Sequence, residues 1–204
     1  MKRSSLSLTL LATATLAFSL TACSGPGLAA PASAAAESST ASETPAAADA
    51  AQSNAAATAA EAQEQKNIAA FHDLDFNVFS NAKWDELSHS HAKDVIVHWP
   101  DGHVTEGIDV HIADLQKLFV YAPDTRIKQH PHKLAQGNQT AVTGVMEGTF
   151  TKPMPGPDGQ MIQPTGKAFA LPMATVGRWE NGVMQEEWLY WDNQAYMNQI
   201  GLGK

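Results

Sequence analysis

The chain has little of several things. Of its 204 residues only one is cysteine, Cys23, so no intrachain disulfide can staple the fold. It has no basic run: 13 Lys and Arg stand against 21 Asp and Glu, for a net charge of −8. That balance offers no electrostatic footprint to a nucleic acid or to an anionic lipid surface, and no nucleic-acid partner is expected. No apolar run reaches the roughly 20 residues that a membrane-spanning helix needs; residues 6–20 fall short of it. Residues 24–64 contain no aromatic side chain, and Leu28 is their only large aliphatic one. Such a stretch buries too little apolar surface to offset the entropy of ordering it.

What is present begins with a targeting pattern. Lys2 and Arg3 precede the apolar residues 6–20, and Leu20-Thr21-Ala22-Cys23 follows. This resembles the signal peptide of bacterial lipoproteins, in which small residues fit the peptidase and the cysteine thiol receives the lipid. The resemblance implies a signal peptide over residues 1–22, lipidation at Cys23 and a place in the bacterial cell envelope. Ser24 resembles the signal for outer-membrane sorting, facing the periplasm, where the host has two membranes. Residues 24–64 then read as a tether, rich in Ala and interrupted by Pro26, Pro31 and Pro45. As a flexible coil it would reach roughly 35 Å. Membrane contact is expected through the lipid alone.

Residues 65–204 are a common size for one domain with its own core. They carry 11 basic against 16 acidic side chains, a net −5. Helical spacing of Ile68, Phe71, Leu74 or Asp75, and Val78 predicts a helix over 65–82. A short helix is expected over 83–92, a strand over 94–100, a turn at Asp101-Gly102 and a third helix over 108–121. Strands follow at 125–135, 139–150, 167–179 and 183–191, the last two joined by Asn181-Gly182, a strong hairpin signal. Pro172 inside a strand requires a bulge or a local edge. Residues 153–166, rich in Pro and Gly, are too long for a plain hairpin and read as a lid or an exposed insertion. The order predicts an α+β fold in which a curved antiparallel sheet wraps helices on one face.

The last strand is the most informative. Strict alternation sets Met184, Glu186, Trp188, Tyr190 and Asp192 on one face, with Val183, Gln185, Glu187, Leu189 and Trp191 on the other. A carboxylate beside Trp188 and Tyr190 would be desolvated and suited to proton transfer. Asp192 also stands where Asp caps a helix, here over 193–200. Glu186 shares its face, but six residues along a strand is about 20 Å, too far for a dyad. A bulge would reverse the parity and turn Glu187 inward in its place.

These residues resemble a family. The pieces are His-Trp-Pro-Asp-Gly, Glu-Gly-Ile-Asp, Leu-Phe and Ala-Pro-Asp-Thr within 98–125, Gly-Thr-Phe-Thr at 148–151, Pro-Thr-Gly-Lys at 164–167, and Asn-Gly-Val-Met-Gln-Glu-Glu-Trp, Asp and Gln-Ile-Gly within 181–201. In order and spacing they resemble the SnoaL-like polyketide cyclases, or ester cyclases, of the nuclear-transport-factor-2-like superfamily, across 66–203. The resemblance implies a cone with three helices enclosing one apolar pocket, commonly as a homodimer. It implies cofactor-free general acid–base chemistry, a cyclisation or isomerisation next to a carbonyl in a small hydrophobic molecule, with the proton carried at the position of Asp192. Residues 167–179 lack the histidine with which polyketide cyclases polarise the substrate carbonyl. The alternative for the same fold is a lipoprotein that captures a small hydrophobic ligand without turning it over; a scaffold module with a filled pocket is a third reading.

All eight histidines lie between His72 and His132. None shows the spacing of a zinc site, and no metal is expected from the sequence. His98 shares a strand face with Ile96 and is the candidate assistant to Asp192, donating to a carbonyl oxygen, or is a half-buried histidine satisfied by backbone. His111 borders the apolar stripe of its helix. Pocket lining is expected from Trp188, Tyr190, Glu186 and His111, with core packing the alternative for the aromatics.

Overall fold

The computed structural model describes residues 45–156 and 158–203. The expected signal peptide, the expected lipidation site Cys23 and the first part of the expected tether lie outside them. Among the described residues no helix is long and apolar enough to cross a membrane.

Helix α1 runs Pro45–Asp73, so residues 45–64, expected as coil, are helical. Alanine has the highest helix propensity, and proline is tolerated in the first helical turn. The segment also continues into a packed helix end at Asn67 and Phe71, which lowers the cost of nucleation. Glu64, placed in the tether by composition, accepts a hydrogen bond from Gly137 N at 2.6 Å. After Asp73 the helix widens into a π turn, Leu74–Val78, then tightens into a 3-10 turn, Phe79–Asn81. The π turn adds a residue to the helical repeat, and the consecutive Leu74 and Asp75 are both buried. A second 3-10 turn, Trp84–His89, stands where a short helix over 83–92 was expected.

Strand β1 (His91–His98) and β2 (Val104–Glu106) flank the Asp101-Gly102 turn, and α2 is Ile108–Tyr121. Then come β3 (Arg126–Ile127), β4 (Lys133–Gln136) and β5 (Gln139–Thr149). The 153–166 loop carries a small hairpin of β6 (Met154–Pro155) and β7 (Met161–Ile162). Strands β8 (Ala168–Glu180) and β9 (Val183–Trp191) precede α3 (Asn193–Gln199). Asn181 and Gly182 both have positive φ, 52° and 83°, the backbone of a two-residue hairpin turn.

The seven-stranded sheet has the order β2-β1-β9-β8-β5-β3, with β4 also paired to β5. Its pairs are antiparallel except β1 with β9, which is parallel. Pro172 lies one residue past the last pair between β8 and β9, at Met173 and Trp191, where β8 has a free side. The predicted α+β class and the curved sheet packed against helices are those observed.

The pairing of β8 with β9 shifts by one residue. Trp179 pairs with Met184 and Arg178 with Glu186, which leaves Gln185 unpaired in a bulge. The two sides of the bulge therefore keep opposite parity. Met184, Glu187 and Leu189 are all buried, while Tyr190 is 53% exposed. Strict alternation fails here, and the reversed arrangement is the one that forms.

Gly148 on β5 marks a close approach: a Cβ there would stand 2.6 Å from the Phe169 ring, itself buried in the core. Gly148→Ala should therefore cost about 1–3 kcal/mol through overpacking, read as a lower midpoint in urea unfolding with an unchanged slope. An unchanged midpoint would mean the ring has room to move.

Candidate active site

A cavity of about 390 Å³ opens between the concave face of the sheet and the helices. Its walls are largely apolar: Phe79, Leu115 and Leu118 from the helical side, Ile127, Met146, Leu171, Met173, Leu189 and Trp191 from the sheet. The exposed His103, Lys117 and Asn193 border it. The volume is within the usual range for a small-molecule site.

Three polar features interrupt this lining. The first is Asp75, placed on the wall by the π turn. Its Oδ2 lies 2.7 Å from Nε2 of the buried His130. Burial raises the Asp75 carboxyl above its ordinary value; the His130 bond and charge partly offset this, and the Glu187 charge adds to it.

The second is a cluster of His91, His111 and Glu187, all buried. His91 opens β1, His111 projects from the first turn of α2, and the bulge delivers Glu187 from β9. Glu187 Oε2 lies 3.7 Å from His91 Nε2 and 3.5 Å from His111 Nε2. Burial acts to raise the Glu187 carboxyl, but the imidazoles beside it outweigh this and hold it below the usual carboxylate range. Burial pushes the His111 imidazole down to about 4, which leaves it neutral at physiological pH.

The third is Tyr196, whose hydroxyl is buried on the cavity wall. Burial, with Tyr121 beside it, raises its pKa and keeps it a protonated donor.

The residues singled out from the sequence fall elsewhere, with one exception. His111 lines the cavity. Asp192 is exposed and caps α3, its Oδ1 accepting from Gln194 N at 2.8 Å and Ala195 N at 3.0 Å. It borders a shallow surface depression with Tyr190, Pro100 and Pro172 and does not line the cavity. His98, Glu186 and Trp188 do not line it either. His98 Nε2 lies 2.8 Å from Glu186 Oε1, and its ring stacks on Trp188 at 5.1 Å. Arg178 donates from Nε to Glu186 Oε2 at 3.3 Å. The His98 bond, with Arg178, holds the Glu186 carboxyl below its ordinary value. The physical cause of all these corrections is the Gln185 bulge, together with β1, where Val95 and Val97 are buried and Ile96 and His98 stand on the other face.

Residues 167–179 bring no histidine to the cavity; His91 on β1 and His111 on α2 line it. His91 and Asp75 were not singled out from the sequence as candidates. Asp75 left one trace, its shared place with Leu74 in the apolar stripe of the first helix.

A profile of the SnoaL-like polyketide cyclases matches residues 74–200. The chain belongs to this family. The match includes Asp75, His91, His111 and Glu187. Solved structures of similar fold include a candidate SnoaL-like polyketide cyclase from Jannaschia sp. CCS1, with a TM-score of 0.60, 20% identity, and coverage of 69% of this chain and 95% of that one. IdmH, a candidate polyketide cyclase from Streptomyces antibioticus, has a TM-score of 0.57 and 22% identity over 68% of this chain and 99% of its own. A protein with a ketosteroid isomerase-like fold from Catenulispora acidiphila DSM 44928, in complex with trimethylamine, has a TM-score of 0.52 and 15% identity over 67% and 92%. At these identities the likeness establishes the fold, that of the nuclear-transport-factor-2-like cone. No curated protein matches the chain.

The raised carboxyl of Asp75 has a thermodynamic signature. Below about pH 3.8 the folded and unfolded chains both hold its proton; above that, the folded state keeps a proton that the unfolded chain has lost. The group's contribution to stability is thus fully present at low pH and is lost as pH rises through the folded value. Asp75→Asn should gain stability relative to the parent chain between pH 4 and pH 7, measured by urea unfolding at both. An equal difference at the two pH values would contradict a desolvated carboxyl.

Proposed function

We propose that this SnoaL-like protein moves a proton at carbon next to a carbonyl, in a ring closure or an isomerisation, with Asp75 as the proton carrier. The observation that carries this reading is the Asp75 carboxyl itself: buried on an apolar wall, raised by desolvation and held by one partner, His130. A base near the working pH needs such an environment. In the reaction Asp75 takes the proton from the carbon, negative charge develops on the carbonyl oxygen, and the same carboxyl returns the proton to the product. The buried Tyr196 hydroxyl, on the wall of the same cavity, supplies an O–H donor for that oxygen. The apolar walls favour a small hydrophobic carbonyl compound.

The test is hydrogen exchange at the α carbon of model β-keto esters in deuterated water, followed by NMR. The parent chain should accelerate exchange, and Asp75→Asn should lower the rate about 100-fold or more with the fold retained by circular dichroism. Binding without exchange in the parent chain would replace this reading with capture of a hydrophobic ligand.

The cell-envelope location is likewise our reading, from residues 20–23. Cys23→Ser should move the protein from the membrane fraction to the soluble fraction of its host. Continued membrane association would remove the lipid anchor from the account.

A further inference from the structure

The cluster of His91, His111 and Glu187 has a geometry that hydrogen bonding does not explain. Ser90 Oγ lies 3.1 Å from Leu87 O and 3.0 Å from His91 Nδ1. His91 Nε2 and Glu187 Oε2 face each other 3.7 Å apart, beyond hydrogen-bond reach, and neither has a hydrogen-bond partner among the described residues. An orphaned buried polar atom costs roughly 1–3 kcal/mol. A cation between the two would engage both, with the His91 proton then on Nδ1 beside Ser90.

We propose that His91, His111 and Glu187 form a binding site for one divalent transition cation of the zinc–iron class, with its remaining coordination positions open to the cavity. Two imidazoles and a carboxylate are the donor set of open zinc sites and of non-haem iron sites. Ligands about 2.1 Å from a tetrahedral zinc stand about 3.4 Å from one another; the two histidine-to-glutamate separations are 3.7 and 3.5 Å, and all three ligand atoms lie within 4.8 Å. The Ser90 contact fixes the orientation of His91, as outer-shell groups do at metal sites. No thiol competes, since Cys23 is the only cysteine. The site departs from the cofactor-free chemistry that the family resemblance implies. It was not legible as a motif because its members lie 20 and 76 positions apart in the chain.

The cation site goes beyond the Asp75 reading and stands without it. If both hold, the ion would accept the carbonyl oxygen whose α proton Asp75 removes, as a Lewis acid.

The experiment uses the full chain, stripped with a chelator and titrated with Zn²⁺ by calorimetry. One ion per chain is expected, with affinity lowered at least 100-fold in Glu187→Gln, beyond the 10–100-fold carried by outer-shell partners. Asp75→Asn removes no ligand and should still bind one Zn²⁺ per chain, which keeps this result distinguishable from the proton-transfer assay. Since Glu187→Gln alters a buried group and could unfold the chain, a second measurement needs no variant. Co²⁺ added to the parent chain should shift or broaden the ring signals of His91 and His111 in NMR before those of the exposed His89, His103 and His132. The absence of saturable binding, equal affinity in folded Glu187→Gln, or effects confined to the exposed histidines would overturn the site.

Discussion

One unpaired residue governs the interior of this protein. Strand β9 is held on one side by the parallel β1 and on the other by the antiparallel β8, so its register cannot drift. Gln185, squeezed out opposite Arg178 and Trp179, reverses which side chains face the helices. Because of it Met184 enters the core, Glu187 enters the cavity wall, and Glu186 pairs outside with His98 and Arg178. Without the bulge the carboxylate delivered inward would be a different one, and the histidines of β1 and α2 would have no acid partner.

The cavity is a place where stability is given up. Asp75, Glu187, His91, His111 and His130 are all buried next to apolar side chains, and several of their polar atoms lack partners among the described residues. Burying ionisable groups is unfavourable unless they are paired and hydrogen-bonded. Hydrophobic replacements would pack this space at less cost. Burial acts to raise both carboxyls of the cavity, and their neighbours separate them: His130 only partly offsets it at Asp75, whereas His91 and His111 bring Glu187 below its ordinary value.

Membership in the SnoaL-like family accounts for the cone and for an apolar pocket large enough for a small molecule. It does not dictate which side chains line that pocket. Here the polar groups come from a π turn, the start of β1, the first turn of α2 and a bulged β9. Asp192, at the position expected to be catalytic, accepts from the N–H groups of Gln194 and Ala195 in the first turn of α3. A fold does not fix the side chains of its pocket, which vary while its outline is kept.

The sequence by itself determined the class of the fold, the limits of α2 and β9, and the hairpin at Asn181-Gly182, because periodicity and turn chemistry are local properties of the chain. It also determined that one of Glu186 and Glu187 had to face inward, since every residue of a strand faces one side or the other. It did not foretell the helix over 45–64, where alanine propensity and attachment to a packed segment outweighed the lack of burial. Tertiary structure alone decided which glutamate turned inward, for a bulge depends on how two strands register against each other. It alone brought Asp75 to His130, and His91 and His111 to Glu187, across separations that carry no sequence pattern. Desolvation belongs to the assembled cavity, not to any residue, so which carboxyl is raised and which is lowered was settled only when the chain closed around them.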